Sequence, residues 1–174
     1  GDFNGWQKDE SYRLQPVENG VWEATFAEKM LKHEQLYKLL VEWQGGCGER
    51  IPSYARRVVQ DPVTKLFAAQ VWEPKEVKGE RLKVKGKGIK RRKANDPLFI
   101  YECHIGMSSE EEKVNSYEEF RVDVLPRIAK LGYNCLQMMA IQEHPYYGSF
   151  GYHVSNFFAV SSRCGTPEEL KRLI

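Results

Sequence analysis

The sequence predicts two architectures in series: an antiparallel β-sandwich over residues 1–73, then the opening of an α/β fold over residues 97–174. Three observations predict this. The first stretch holds short alternating segments parted by turns, with no helical pattern between them. A basic strip then interrupts the apolar patterning. After Asn95-Asp96-Pro97 the pattern becomes strand, helix, strand, helix, which is the grammar of parallel β/α units.

In the first stretch Asn19-Gly20 lies between alternating segments and predicts a hairpin turn. The strand that follows, Val21 to Phe26, places Trp22, Ala24 and Phe26 on one face. Leu36 to Trp43 alternates again, with Tyr37, Leu39, Val41 and Trp43 together, until Gly45-Gly46-Cys47-Gly48 breaks it. Ala55 to Gln60 and Phe67 to Trp72 are two further strands parted by an Asp61-Pro62 turn.

Residues 74–96 read as an exposed basic linker. Ten of the 26 Lys and Arg lie between Lys75 and Lys93, against two of the 24 acids, Glu76 and Glu80. The strip carries no interleaved aromatic side chains for base stacking, so a solvated linker is favoured over a nucleic-acid site. Its glycines are not followed by the GK[ST] of a phosphate loop.

Beyond it, Leu98 to Ile105 is an apolar strand. Ser116 and Glu119 form a capping box that opens a helix whose Phe120, Val124, Ile128 and Leu131 share one face. Pro126 falls inside that helix and predicts a kink. Gly132 ends it, Tyr133 to Ile141 is a second buried strand, and Gln142 to Gly165 is a long loop. Thr166, Pro167 and Glu169 open another helix as N-cap, N1 and N3. A closed (β/α)8 barrel takes about 250 residues, so two such units would be its opening.

Composition bounds the function. The chain is 41% hydrophobic and 12% aromatic over 174 residues, enough for a core and unlike a disordered polymer. No apolar run approaches a membrane span. The four cysteines stand apart with no CxxC, which suits reduced thiols and a cytoplasmic location. The chain starts Gly-Asp-Phe-Asn, with neither Met nor a secretory leader, and the expectation is a piece of something longer.

The segment Gln142 to Phe158 carries the most unusual chemistry. Six of its 17 residues are aromatic, interleaved with Asn, Gln, Glu and His. It follows a strand, on the side where α/β folds place their sites. Ring faces beside directional hydrogen-bonding groups suit sugars; the competing reading is a loop that packs its own aromatics as a plug. His144 and His153 share the segment, but no spacing matches a metal site. Cys103 next to His104 is a poor nucleophile pair, because adjacent strand side chains point to opposite faces.

Two sets of motifs carry a resemblance. GDFNGW at residues 1–6, with Asn19-Gly20-Val21-Trp22-Glu23 and GERIPSYARRVVQD, is similar to the carbohydrate-binding modules of family 48. YECHIGMSSEE, SYEEF, VLPRI, LGYN, MMAIQEH and YYGSFGYHVSNFFAVSSRCGTPEELK resemble the first two β/α units of the eukaryotic-type branching enzymes of glycoside hydrolase family 13. The resemblance implies an immunoglobulin-like sandwich, incomplete at its start, followed by part of a (β/α)8 barrel. It implies an α-glucan partner (glycogen, amylose or amylopectin), no cofactor and no metal. The implied activity is a retaining transglycosylation that cuts an α-1,4 linkage and rejoins the chain to a 6-hydroxyl. The family's catalytic carboxylates lie on later strands, so no catalytic residue is assigned here and these residues alone are expected to be inactive. Tyr152 matches a tyrosine that stacks on the sugar at the non-reducing side of the cleaved bond. Asn4, Gly5 and Trp6 match a turn that touches glucan. The family commonly has Gly after the residue matching His33, where this sequence has Glu34. The rival expectation is a non-catalytic glucan-binding or regulatory protein.

Overall fold

A computed structural model of the chain describes residues 1–77 and 96–174. The basic strip between Lys78 and Asn95 lies outside the described residues. The chain divides into two units, Gly1–Glu73 and Pro74–Ile174, each described by itself below.

The first unit is antiparallel throughout, in three small sheets. β1 (Gln15–Pro16) pairs with β2 (Trp22–Glu23) across a turn in which Asn19 and Gly20 take φ of 60° and 75°. Two successive positive φ values are what an Asn-Gly hairpin turn supplies, because its twist matches that of the strands it joins. The strand predicted to reach Phe26 is only two residues long. The single strand predicted over 36–43 is two: β3 (Leu36–Tyr37) and β4 (Leu39–Trp43). They part at Lys38 because they serve different partners. β4 pairs with β5 (Gly46–Arg50), so the glycine-rich run that reads as a breaker is the returning strand, closed by a turn at Gln44-Gly45. β6 (Val58–Gln60) and β7 (Phe67–Gln70) pair, and β3 adds to β7 to give the order β3-β7-β6. The turn between β6 and β7 is held by Asp61, whose Oδ1 accepts from Val63 N, Thr64 N and Thr64 Oγ1. Val58, Ala68 and Ala69 are the buried centre of this sheet.

The second unit is built on a parallel pair. β8 (Ile100–His104) and β9 (Cys135–Met139) run in the same direction, in register from Ile100↔Cys135 to His104↔Met139. The connection is helical, as a parallel pair requires. It comprises α1 (Tyr117–Glu119), a π turn over Phe120–Val124, and α2 (Leu125–Lys130). Ser116 Oγ accepts from Glu119 N at 3.1 Å and Glu119 Oε2 accepts from Ser116 N at 3.0 Å, the expected capping box. Pro126 is accommodated by the wide turn before it: Leu125 N donates to the Phe120 carbonyl five residues back. Arg127 Nε covers the Asp123 carbonyl at 3.0 Å. Tyr117, Phe120 and Ile128 are buried with Ile105, Cys164 and Leu170 in one core. Leu131 is not on the buried face as predicted but 74% exposed, because the π turn shifts the helical phase and the helix ends at Lys130. Asn134, just before β9, ties down the segment that leads into β8, accepting from Phe99 N at 2.9 Å and donating to the Pro97 carbonyl at 2.9 Å.

The loop predicted over 142–165 contains a strand pair. β10 (Gln142–Glu143) and β11 (Asn156–Val160) are antiparallel, with a bulge between Gln142↔Val160 and Glu143↔Asn156. The sequence hides them because β10 has two residues and β11 opens Asn-Phe-Phe, with no alternation. α3 (Pro167–Leu173) follows, capped by Thr166 and Glu169 as expected. Lys75 N donates to Glu168 Oε1, so the start of the expected linker lies against α3. No helix among the described residues is long and apolar enough to cross a membrane.

Candidate functional site

The parallel register decides where the aromatic segment emerges. His104 ends β8 and Met139 ends β9 opposite it, so both chains leave the sheet at its carboxyl end. The segment then folds back over that end. The rings of Tyr147 and Phe150 stand edge-on to the His104 imidazole, with centroids 6.0 and 6.3 Å away.

Phe150 and Gly151 both take positive φ, 52° and 82°. A Cβ on Gly151 would lie 2.4 Å from Ala140 Cα, so the chain crosses the end of β9 with only a hydrogen between. That reversal turns Tyr152 outward, 78% exposed. The bulge in β10–β11 likewise leaves Phe157 and Phe158 out of the ladder and exposed, and Tyr146 is exposed as well. The segment thus splits in two. Tyr147 packs against His104, while Tyr146, Tyr152, Phe157 and Phe158 are exposed.

Burial first, then the nearby His144, lowers the pKa of His104 below the usual imidazole value. Both His104 ring nitrogens and His144 Nε2 are buried without a hydrogen-bond partner. Burial raises the Tyr147 phenol above its ordinary value. The Cys103 thiol is pushed up to about 11, by burial and then by Glu102, so it stays protonated at neutral pH and is no nucleophile. All four cysteines are unpaired. Among the described residues no group of three His, Cys, Asp or Glu is arranged to hold a metal ion.

The other predicted residues lie in the first unit. Gly1 and Asn4 to Gln7 form a tight turn with Gly5 and Trp6 both at φ 60°. Asn4 is engaged inside it: Oδ1 accepts from the Gly1 amino group at 2.8 Å and Nδ2 donates to the Gln7 carbonyl at 2.6 Å. Trp6 Nε1 donates to Asp2 Oδ1 at 2.9 Å, and Asp2 Oδ2 accepts from Leu36 N at 2.6 Å, which fastens the turn to β3. The Trp6 indole lines a groove of about 290 Å³ with Lys38, Glu49, Asp61, Thr64 and Leu66. Of the four residues expected to bind, Trp6 and Tyr152 are exposed, while Asn4 and Gly5 lie within a turn.

Sequence reading passed over Glu143 and Arg163, which hold the two feet of the aromatic segment. They are 20 residues apart, and no periodicity marks such a pair.

No protein-family profile matches the chain. Curated relatives align with all of it. It is 48% identical to 1,4-alpha-glucan-branching enzyme 2-2, chloroplastic/amyloplastic, of Arabidopsis thaliana, over 22% of that protein. It is 42% identical to the 1,4-alpha-glucan-branching enzyme of Yarrowia lipolytica and 40% identical to that of Dictyostelium discoideum, over 25% of each. The chain thus spans about a quarter of the length of the relatives it matches, and along its whole length it is homologous to a segment of the 1,4-alpha-glucan-branching enzymes.

Proposed function

We propose that this chain supplies glucan-contacting surface to a branching enzyme that cuts an α-1,4-glucan and transfers the cut chain to a 6-hydroxyl. The observation that carries the reading is the set of outward rings at the carboxyl end of β8 and β9, in a chain homologous to branching enzymes. A pyranose presents C–H groups on its faces and hydroxyls at its rim, so it packs on a ring and hydrogen-bonds at the edge. Tyr152 is the ring we assign to the sugar at the reacting end. Trp6 and its groove are a second contact, on the first unit.

The finer architecture belongs to the same proposal. The antiparallel first unit is the core of an immunoglobulin-like module of carbohydrate-binding family 48. The second unit opens a family 13 (β/α)8 barrel. The exposed Leu98 and Phe99 just before β8, and Ile100 at its start, support this, because they are apolar and a barrel would cover them. The chemistry is a retaining double displacement whose two carboxyl groups come from strands beyond this segment. Substrate is an α-glucan such as glycogen, amylose or amylopectin, and the compartment is the cytoplasm.

The test is Tyr152→Ala in the intact parent enzyme, with amylose branching followed by the fall in iodine colour. A lost ring stack of about 1.4 kcal/mol lowers turnover about tenfold. Unchanged turnover would sink the assignment.

A further inference from the structure

We propose that Glu143 is a positioning residue: with Arg163 it clamps the two feet of the aromatic segment and so fixes where Tyr152 points. The functional part of this rests on the glucan reading above.

Glu143 is fully buried, with a side chain at 0% exposure. A buried carboxylate persists only where donors surround it. Here Oε2 accepts from Ser162 N at 2.7 Å and Oε1 accepts from His144 N at 3.3 Å. Arg163 Nη1 stands 3.5 Å from Oε1. The guanidinium then continues past the acid. Nη1 donates to the His144 carbonyl and Nη2 to the Pro145 carbonyl, the latter at 2.7 Å. On the backbone side, the Glu143 carbonyl accepts from Ser155 N at 3.0 Å and Ser155 Oγ at 3.2 Å.

These bonds have one pattern. Residues 143–145 leave β10, residue 155 leads into β11 and residues 162–163 follow β11, and every bond joins the first of these stretches to one of the other two or closes the acid on its own foot. The ladder itself supplies little hold, because β10 is two residues long and its register breaks at Glu143. The side-chain pair takes over where backbone pairing fails. It lies at the base of the segment that carries Tyr146, Tyr152, Phe157 and Phe158 and outside the apolar core. An apolar residue at 143 would fill the same space, leave Ser162 N and His144 N without this acceptor, and take the negative charge away from the Arg163 guanidinium.

The experiment uses the whole 174-residue chain as wild type, Glu143→Gln and Arg163→Lys. Amide hydrogen exchange is read for residues 144–162 and, separately, for β8, β9 and α2. The amide variant keeps an acceptor for Ser162 N but not the charge that orients Arg163; the lysine keeps the charge but not the two-carbonyl grip. Either is expected to speed exchange about tenfold in 144–162 and to leave β8, β9 and α2 unchanged. If one variant fails to fold, the other is read. Exchange that accelerates uniformly through the second unit, or not at all, overturns the proposal.

Maltoheptaose titration is the second readout, and Glu143→Gln is expected to weaken it about fivefold. Wild type that binds no maltoheptaose removes the glucan reading, while the exchange pattern still decides the clamp. Unchanged affinity alongside a loosened segment overturns the positioning role.

Discussion

Gly151 shows how one hydrogen atom sets the direction of a ring. The chain passes Ala140 too closely for a side chain, at a φ of 82° that L residues rarely adopt. Both facts act on the same reversal, the one that turns Tyr152 outward. Gly151→Ala is therefore expected to cost about 1–3 kcal/mol in urea unfolding, the range for a residue forced into a strained backbone. It should also shift the Tyr152 ring resonances. An alanine variant with wild-type stability would mean that the segment relaxes freely and that the close approach is incidental. Glu34 is the counterpart in the first unit. The backbone there takes a φ of 69° with Glu in place. Its amide donates to the Val71 carbonyl at 2.8 Å, which ties the turn to the end of β7.

At the level of elements, the helix starts and the longer strands were legible, while strand ends and the short pair inside the aromatic segment were not. Caps are local chemistry. Ser116 with Glu119 and Thr166 with Glu169 satisfy amides within three residues, so the sequence states them outright. Ser116→Ala is expected to lower unfolding stability by about 1 kcal/mol, and Ser116→Asp to recover most of it, read as the urea midpoint. Equal midpoints for all three would show that the box contributes nothing. Strand length is decided by partners. Alternation continues from Leu36 to Trp43, yet the strand divides at Lys38 because β7 takes one part and β5 the other. β10 and β11 exist only because Glu143 and Asn156 meet across the segment, and no sequence period encodes that meeting. Leu131 failed for a further reason, since the extra residue of a π turn rotates everything after it.

For the whole molecule, the second unit carries acid-sensitive groups that act in two pH ranges. His104 has a folded pKa below its unfolded value of about 6.5, through burial and then His144. Between those two values the unfolded chain binds a proton that the folded chain refuses. Stability therefore falls as pH drops through about 6.5 and levels off below the folded pKa. The Glu119 carboxyl, held down to about 2 by Lys113 and Ser116, adds an exposed and screened loss that starts lower, as pH falls below about 4.5. Thermal unfolding should show a drop in midpoint between pH 7 and 5.5 in wild type, and His104→Gln should flatten it. A wild-type midpoint that is constant over that range would contradict the lowered imidazole pKa.

The sequence by itself determined the caps, the Asn-Gly hairpin, the parallel β/α grammar and the aromatic wealth of the segment after β9. Each depends on neighbours a few residues apart or on a repeating period. Tertiary structure alone decided which aromatic side chains are exposed, that Asn4 is engaged inside its own turn, and that a buried acid meets an arginine 20 residues on. Those outcomes are set by packing between distant parts of the chain, where a single carboxylate out of water must find its donors and the backbone must bend to bring them.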